Sequence, residues 1–331
     1  MSIPNDICLF WYTTSPYARK ISWYLTLRGL AHAQCMQPNV LPRPDMEQLN
    51  IAYRRIPLLA VGKDVYLDTR LILPKLEALF PDGAIGPKSV EEQAIQRLLE
   101  KWTSDAGVFT RSAQLIPLAA PAMKDPNFRK DREDFTGRPW DLNVMARARP
   151  EATVHIRDAF EILETTLLAD GREWIFNTEK PSLGDIDAVW PFHWLVGMPT
   201  ALDPNYISPT QFPKTFAYID RFGKALKAAR ESLPKPVSVT GAQVVEHMAN
   251  ARFYEPAGNV DANDPTGLKS GDEVTIGPLD SGAKHRDTGR LVTLTPNEVV
   301  LAKQTRAGGM ELHVHAPRWG FRVFRATGGK I

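Results

Sequence analysis

The 331-residue sequence carries 40 lysines and arginines against 38 acidic residues, a net charge of +2. That balance gives no reason to expect a nucleic acid or an acidic membrane surface as the main partner. With 43% apolar residues the chain can build more than one core, and its length exceeds one ordinary domain. No run of about 18 apolar residues occurs, so no transmembrane helix is expected. The first ten residues lack a basic-then-apolar leader pattern, and Asp6 interrupts the first apolar run. Cys8 and Cys35 each sit inside an apolar run. They are expected to be buried thiols of a reducing compartment rather than a disulfide. The expectation is a soluble, cytoplasmic globular protein.

Residues 7–12 are short, almost wholly apolar and rich in β-formers, and predict a buried strand. Ser15-Pro16 then opens a helix: serine is a favoured N-cap, and proline suits the first helical position, where its missing N–H would be unpaired anyway. Tyr17, Ile21, Tyr24 and Leu25 follow at helical spacing, and Gly29 closes the helix. Gln34–Met36 predicts a second strand, and residues 46–50 a short, poor helix. Leu58–Val61 and Val65–Leu67 flank Gly62-Lys63-Asp64 as a hairpin. A helix from Thr69 to Phe80 follows, capped by Asp68. The order βαβαββα implies a small mixed sheet sandwiched by helices.

From Ser89 the character changes. Ser89 and Glu92 form a capping box before a long amphipathic helix with Ile95, Leu98, Leu99 and Trp102. Residues 121–149, rich in proline and charge, are expected to form an irregular insertion. Further helices are predicted over 151–169, from Ser182-Leu183-Gly184-Asp185 onward, and over 215–230. Pro234-Lys235-Pro236 reads as a linker, and a short helix is expected over 243–251. Strands are predicted at 273–276, 291–295, 298–302, 311–315 and 321–324. The expected architecture is an α/β domain (1–84), an all-α domain (85–233) and a small, barrel-like all-β domain (234–331).

Three features of the first domain converge on one chemistry. Ser15 marks the end of a strand and the start of a helix, where free N–H groups and the helix dipole favour an anion such as a thiolate. Stabilising a thiolate there would generate a nucleophile at neutral pH. Arg55-Ile56-Pro57 precedes a strand; a cis proline at that turn would expose backbone groups to an extended peptide ligand. Asp68-Thr69 could hold an amino-acid head group, ammonium to Asp68 and carboxylate to Thr69. Taken singly, each has a plainer reading: a serine cap, a trans proline opening an edge strand, an aspartate cap.

Together, a strand followed by Ser15-Pro16-Tyr17-Ala18-Arg19, then Ile56-Pro57 and Asp68-Thr69, resembles the thioredoxin-like domain of glutathione transferases. Ser182-Leu183-Gly184-Asp185 matches the N-capping box of that family's helical domain. The resemblance covers about residues 5–232. It is strongest to the serine- and cysteine-type branches and to fungal transferase-like proteins with an added C-terminal region. It implies that Ser15 contacts the glutathione sulfur, that Ile56 pairs with the cysteinyl backbone beside a cis Pro57, and that Asp68 and Thr69 hold the γ-glutamyl group. Arg55 is assigned to the glycyl carboxylate. Asp-Thr replaces the more usual Glu-Ser or Gln-Ser, with shorter reach. Ser15 and Ala18 stand where redox members carry two cysteines, so a dithiol cycle is unsupported; Thr13 and Thr14 are possible substitutes for Ser15.

The resemblance also implies glutathione as co-substrate, no metal, a small electrophilic second substrate between the domains, and a homodimer. Tyr17, Trp102, Phe109 and Arg111 are the candidate second-substrate residues, although aromatics at helical spacing are more often core. Two rival readings remain: a non-catalytic binding or assembly module, and an enzyme of the interdomain cleft that dispenses with glutathione. Outside this set, His313 and His315 alternate on one strand face as metal ligands can, but no third ligand stands at recognisable spacing, so a structural pair is expected. His193 reads as a core histidine. Lys284, Arg286, Arg290, Arg318, Arg322 and Arg325 read as a scattered solvated surface, not a polyanion groove.

Overall fold

A computed structural model describes residues 2–306 and 309–326. In the first β-α-β unit, β1 (Ile7–Trp11) leads to α1 (Pro16–Leu27) and β2 (Ala33–Met36), which pairs parallel to β1. After α2 (Pro44–Gln48), β3 (Leu58–Val61) and β4 (Asp64–Leu67) form the hairpin, antiparallel to β1, and α3 (Thr69–Leu79) follows. Period-two alternation sorts these strands between two cores. Ile7, Leu9, Leu59, Val61 and Tyr66 enter the core shared with the helical region. Cys8, Phe10, Leu58, Ala60, Val65 and Leu67 enter a second core on the opposite face. Both cysteines are unpaired and buried there, and burial pushes the Cys35 thiol up to about 12.

The helical region comprises α4 (Val90–Ser104), α5 (Val108–Gln114), α6 (Pro121–Lys124), α7 (Pro126–Thr136), α8 (Leu142–Ile162), α9 (Leu183–Val196) and α10 (Pro213–Glu231). The irregular insertion expected over 121–149 is instead mostly helical. Asp125 with Pro126 opens α7, and Asp141 caps α8 by accepting from Asn143 N–H (2.7 Å). The expected capping box of α9 is present in both directions: Asp185 accepts from Ser182 N–H at 2.8 Å, and Ser182 from the Asp185 N–H. The same carboxylate also accepts from Ile175 N–H and the Tyr218 hydroxyl. No helix among the described residues is long and apolar enough to cross a membrane.

Beyond α10 come β5 (Val237–Ser238), paired with β2, and α11 (Gly241–Asn250). Then follow β6 (Glu273–Pro278), β7 (Asp287–Leu294), β8 (Glu298–Gln304), β9 (Glu311–Pro317) and β10 (Phe321–Arg325). All five expected strands exist, but they do not close on themselves. β9 pairs in parallel with β4, so one ten-stranded sheet runs β10-β6-β7-β8-β9-β4-β3-β1-β2-β5. The reason is the shared apolar face. Val274, Ile276, Leu291, Leu301, Leu312 and Val314 join the same second core as Phe10 and Leu58, which a separate barrel would leave uncovered.

Asp287 at the start of β7 fastens this region to the segment before β3. It accepts from Ala52 N–H (2.8 Å) and Tyr53 N–H (2.9 Å) and pairs with Lys303 (2.5 Å), at 1% exposure. Asp287→Asn keeps an acceptor but removes the charge, with an expected loss of about 1–3 kcal/mol in a denaturant titration. Three of the six cations singled out in the C-terminal region are paired across it: Arg290 with Glu311, Arg318 with Asp264, Arg325 with Asp272.

Candidate functional site

Where α1 begins, the Ser15 Oγ accepts from the Ala18 N–H at 3.2 Å. Capping uses an oxygen lone pair and leaves the hydroxyl hydrogen free to donate. The Ile56–Pro57 peptide is cis. At the start of α3, Asp68 adopts φ +68° and caps by accepting from the Arg70 N–H at 3.1 Å. A non-glycine residue in that conformation is costly, and it persists only where its surroundings fix it. Here Arg55 (3.8 Å) and Arg70 (3.5 Å) flank the carboxylate.

These three features line one cavity of about 220 Å³. Of the residues singled out from the sequence, Ser15, Tyr17, Arg55, Ile56, Pro57, Asp68, Thr69 and Phe109 line it. Trp102 and Arg111 do not. Trp102 packs on Phe192 (5.8 Å), and Arg111 donates to Gln114 (3.2 Å). On α4 and α5 the lining positions are Ser104, Phe109 and Thr110, and a two-residue step turns a side chain to another face. Thr13 and Thr14 are exposed and lie outside the lining. His193 packs edge-on against Trp23 (5.0 Å), away from the cavity, and burial holds its pKa down.

The rest of the wall escaped sequence reasoning because distant segments build it. Arg132 and Phe135 come from α7, and Asp280 and Ser281 from the β6–β7 loop. Arg55 donates to the Ser281 carbonyl (2.9 Å) and pairs with Asp280. Arg54 pairs with Asp131 (2.8 Å) and with Asp134, which also meets His285 (2.7 Å). Arg70, adjacent in sequence to Asp68-Thr69, also lines the cavity. It reaches Asp105 (2.8 Å) and Glu100 (3.4 Å) beyond α3. Asp105 in turn accepts from the Trp319 indole (2.7 Å), so all three stretches of the chain meet there.

Arginines 43, 54, 55, 70 and 132 line the cavity against aspartates 68, 105 and 280, so the lining is net cationic. Burial lowers Arg43 to about 10, which still leaves it charged at neutral pH. Tyr17 is pushed well above the ordinary phenol value by burial and stays protonated. Its ring packs against Phe109 (4.7 Å) and Trp190 (4.6 Å), forming an apolar side of the site between α1, α5 and α9. The arrangement suits an anionic, peptide-sized ligand with one apolar neighbour.

Known proteins point the same way. Residues 9–87 match the family described as "Glutathione S-transferase, N-terminal domain". Residues 111–231 match one described as "Domain of unknown function (DUF7962)". A "Probable glutathione S-transferase" of Nicotiana tabacum is 24% identical over 96 residues, 29% of this chain and 42% of that protein. The chain thus spans less than half the length of that relative. A glutathione transferase-like protein from Pseudomonas syringae shares the fold with a TM-score of 0.70 and 23% identity, covering 97% of this chain and 99% of its own. A rice enzyme solved in complex with glutathione aligns with a TM-score of 0.51 and 15% identity, over 73% of this chain and 96% of its own. The chain carries a glutathione S-transferase N-terminal domain over residues 9–87 and shares its overall fold with solved glutathione transferase-like proteins. It combines a thioredoxin-like domain and a helical domain with a C-terminal β-rich region.

Proposed function

We propose that the cavity binds glutathione as co-substrate and that the protein joins its sulfur to an electrophilic small molecule, or uses it transiently to isomerise one. One observation supports this above the others. Ser15, the cis Ile56–Pro57 peptide and Asp68-Thr69, far apart in sequence, line a single cavity whose arginines outnumber its acids. Glutathione brings two carboxylates and one ammonium, so its thiolate form carries two net negative charges and matches that lining.

In this reading the γ-glutamyl ammonium meets Asp68, and its carboxylate meets Thr69 and the amino end of α3. Ile56 pairs with the cysteinyl backbone. Arg55, already turned toward Asp280, shares the glycyl carboxylate with the neighbouring arginines. The sulfur rests at the start of α1, where the Ser15 hydroxyl donates to it and the helix dipole favours its charge. The thiol proton leaves to solvent. The sulfur lone pair then forms the new bond to carbon, and the displaced group departs with the old bonding pair, or a proton from water completes an addition. The apolar side formed by Tyr17 and Phe109 receives the electrophile. A homodimer is part of the same proposal, testable by light scattering.

Titration with millimolar glutathione, read by tryptophan fluorescence, tests binding; retention on immobilised glutathione is an independent check. No response in either assay would remove the reading. Asp68→Ala is expected to weaken glutathione binding roughly 10- to 150-fold, the equivalent of one charge-assisted hydrogen bond. Asp68→Asn is expected to lose less, because asparagine tolerates the positive φ. Equal affinity for wild type and Asp68→Ala would place the head group elsewhere.

A further inference from the structure

The parallel pairing of β9 with β4 sets His313 opposite Asp64 and His315 opposite Tyr66. It supplies the third donor that spacing within β9 could not. His315 Nε2 lies 2.9 Å, and His313 Nδ1 3.6 Å, from the same Asp64 oxygen, Oδ1. Donors bonded to one zinc-like ion at about 2.0–2.2 Å, with angles between octahedral and tetrahedral, stand about 2.8–3.6 Å apart. Both separations from Asp64 fall in that range, and the three donor atoms lie within 4.8 Å of one another. We propose that Asp64, His313 and His315 form a binding site for a divalent transition-metal ion of the zinc class, with its remaining coordination open to water.

The surroundings have the features such a site needs. The far nitrogen of His315, Nδ1, lies 2.7 Å from Glu298 Oε1, the carboxylate–histidine arrangement that orients a ligating imidazole. The second oxygen of Asp64 accepts from the Tyr254 N–H (2.6 Å), which fixes that carboxylate from behind. Glu311 stands 4.0 Å from His313 Nε2. Carboxylates outnumber ammonium groups around the two imidazoles. Asp64, Glu298 and Glu255 oppose one ammonium, Lys75, which lies 2.7 Å from Glu298 and 2.5 Å from Glu255. His313, with a side chain 10% exposed, is the solvent-side ligand and the point of entry, whereas Asp64 is fully buried. None of these residues lines the glutathione cavity, so the ion would weld the β6–β10 sheet to β4 rather than take part in thiol chemistry.

The test uses the full chain, stripped with chelator and titrated with Co²⁺ and with Zn²⁺. The expected result is uptake of one equivalent at micromolar concentration, visible d–d absorption from Co²⁺ and a raised melting temperature with Zn²⁺. Glu298→Gln is expected to weaken uptake roughly 10- to 100-fold, and His313→Gln to weaken it further. His313→Gln changes the most exposed ligand, and a circular dichroism spectrum matching wild type establishes that it folds. No stoichiometric uptake by the wild type overturns the proposal. So does uptake unchanged in folded His313→Gln.

Discussion

Lys20→Met is expected to cost roughly 3–5 kcal/mol of stability, among the largest losses any single side chain of this protein would give. Lys20 sits on α1, and its ammonium lies 2.7 Å from Asp187 of α9, with both side chains at 0% exposure. The other Asp187 oxygen accepts from Gln96 of α4 (2.6 Å), and the Lys20 ammonium lies 5.4 Å from the Trp190 ring centre. Methionine nearly fills the volume but strands a carboxylate in an apolar interface. That uncompensated charge, not the lost attraction, dominates the cost. The double variant Lys20→Met/Asp187→Leu should therefore recover much of the loss. Chemical denaturation of the two variants checks this, and a double variant no more stable than the single one would contradict the account. Because Ser15 caps α1, the single variant should lower glutathione affinity as well.

Ser15→Ala is expected to reduce kcat/KM for thiol addition by roughly 10- to 150-fold, the equivalent of one hydrogen bond to a charged acceptor. The sign on the pH axis follows. A donor to the sulfur favours the thiolate and lowers the bound thiol's pKa, so losing it shifts the rise in activity toward higher pH by about one to two units. Ser15 also caps α1, and alanine is expected to cost a further 0.5–2 kcal/mol or so of stability. Ser15→Thr keeps both cap and hydroxyl and should restore the pH profile. A Ser15→Ala protein less stable than wild type, yet with unchanged kcat/KM and pH profile, would reduce Ser15 to a helix cap.

Local patterns carried much of this in the sequence. The Ile7–Trp11 strand, the Ser15-Pro16 helix start, the hairpin around Gly62 and the Ser182–Asp185 capping box all depend on neighbours within a few residues, and all stand where expected. The stretch 121–149 forms helices where its proline and charge suggest an irregular insertion, because Asp125-Pro126 and Asp141 are helix starts. Long-range closure left no local trace. Asp64, a turn residue by its neighbours, is fully buried because histidines some 250 residues away face it. The cavity's Arg132 and Asp280 are likewise brought beside Arg55 by packing, not by any motif.

The ten-stranded sheet has a consequence for how the chain reaches its native state. β4 finds its outer neighbour only in β9, with Asp64 and His315 separated by 251 positions. Until β9 emerges and docks, a nascent or truncated chain presents β4 as an open strand edge beside half of an uncovered apolar core, an invitation to self-association. Closing so long a loop is slow. The final assembly step of this protein is therefore the one most exposed to misfolding, and chains cut before β9 should accumulate as aggregates.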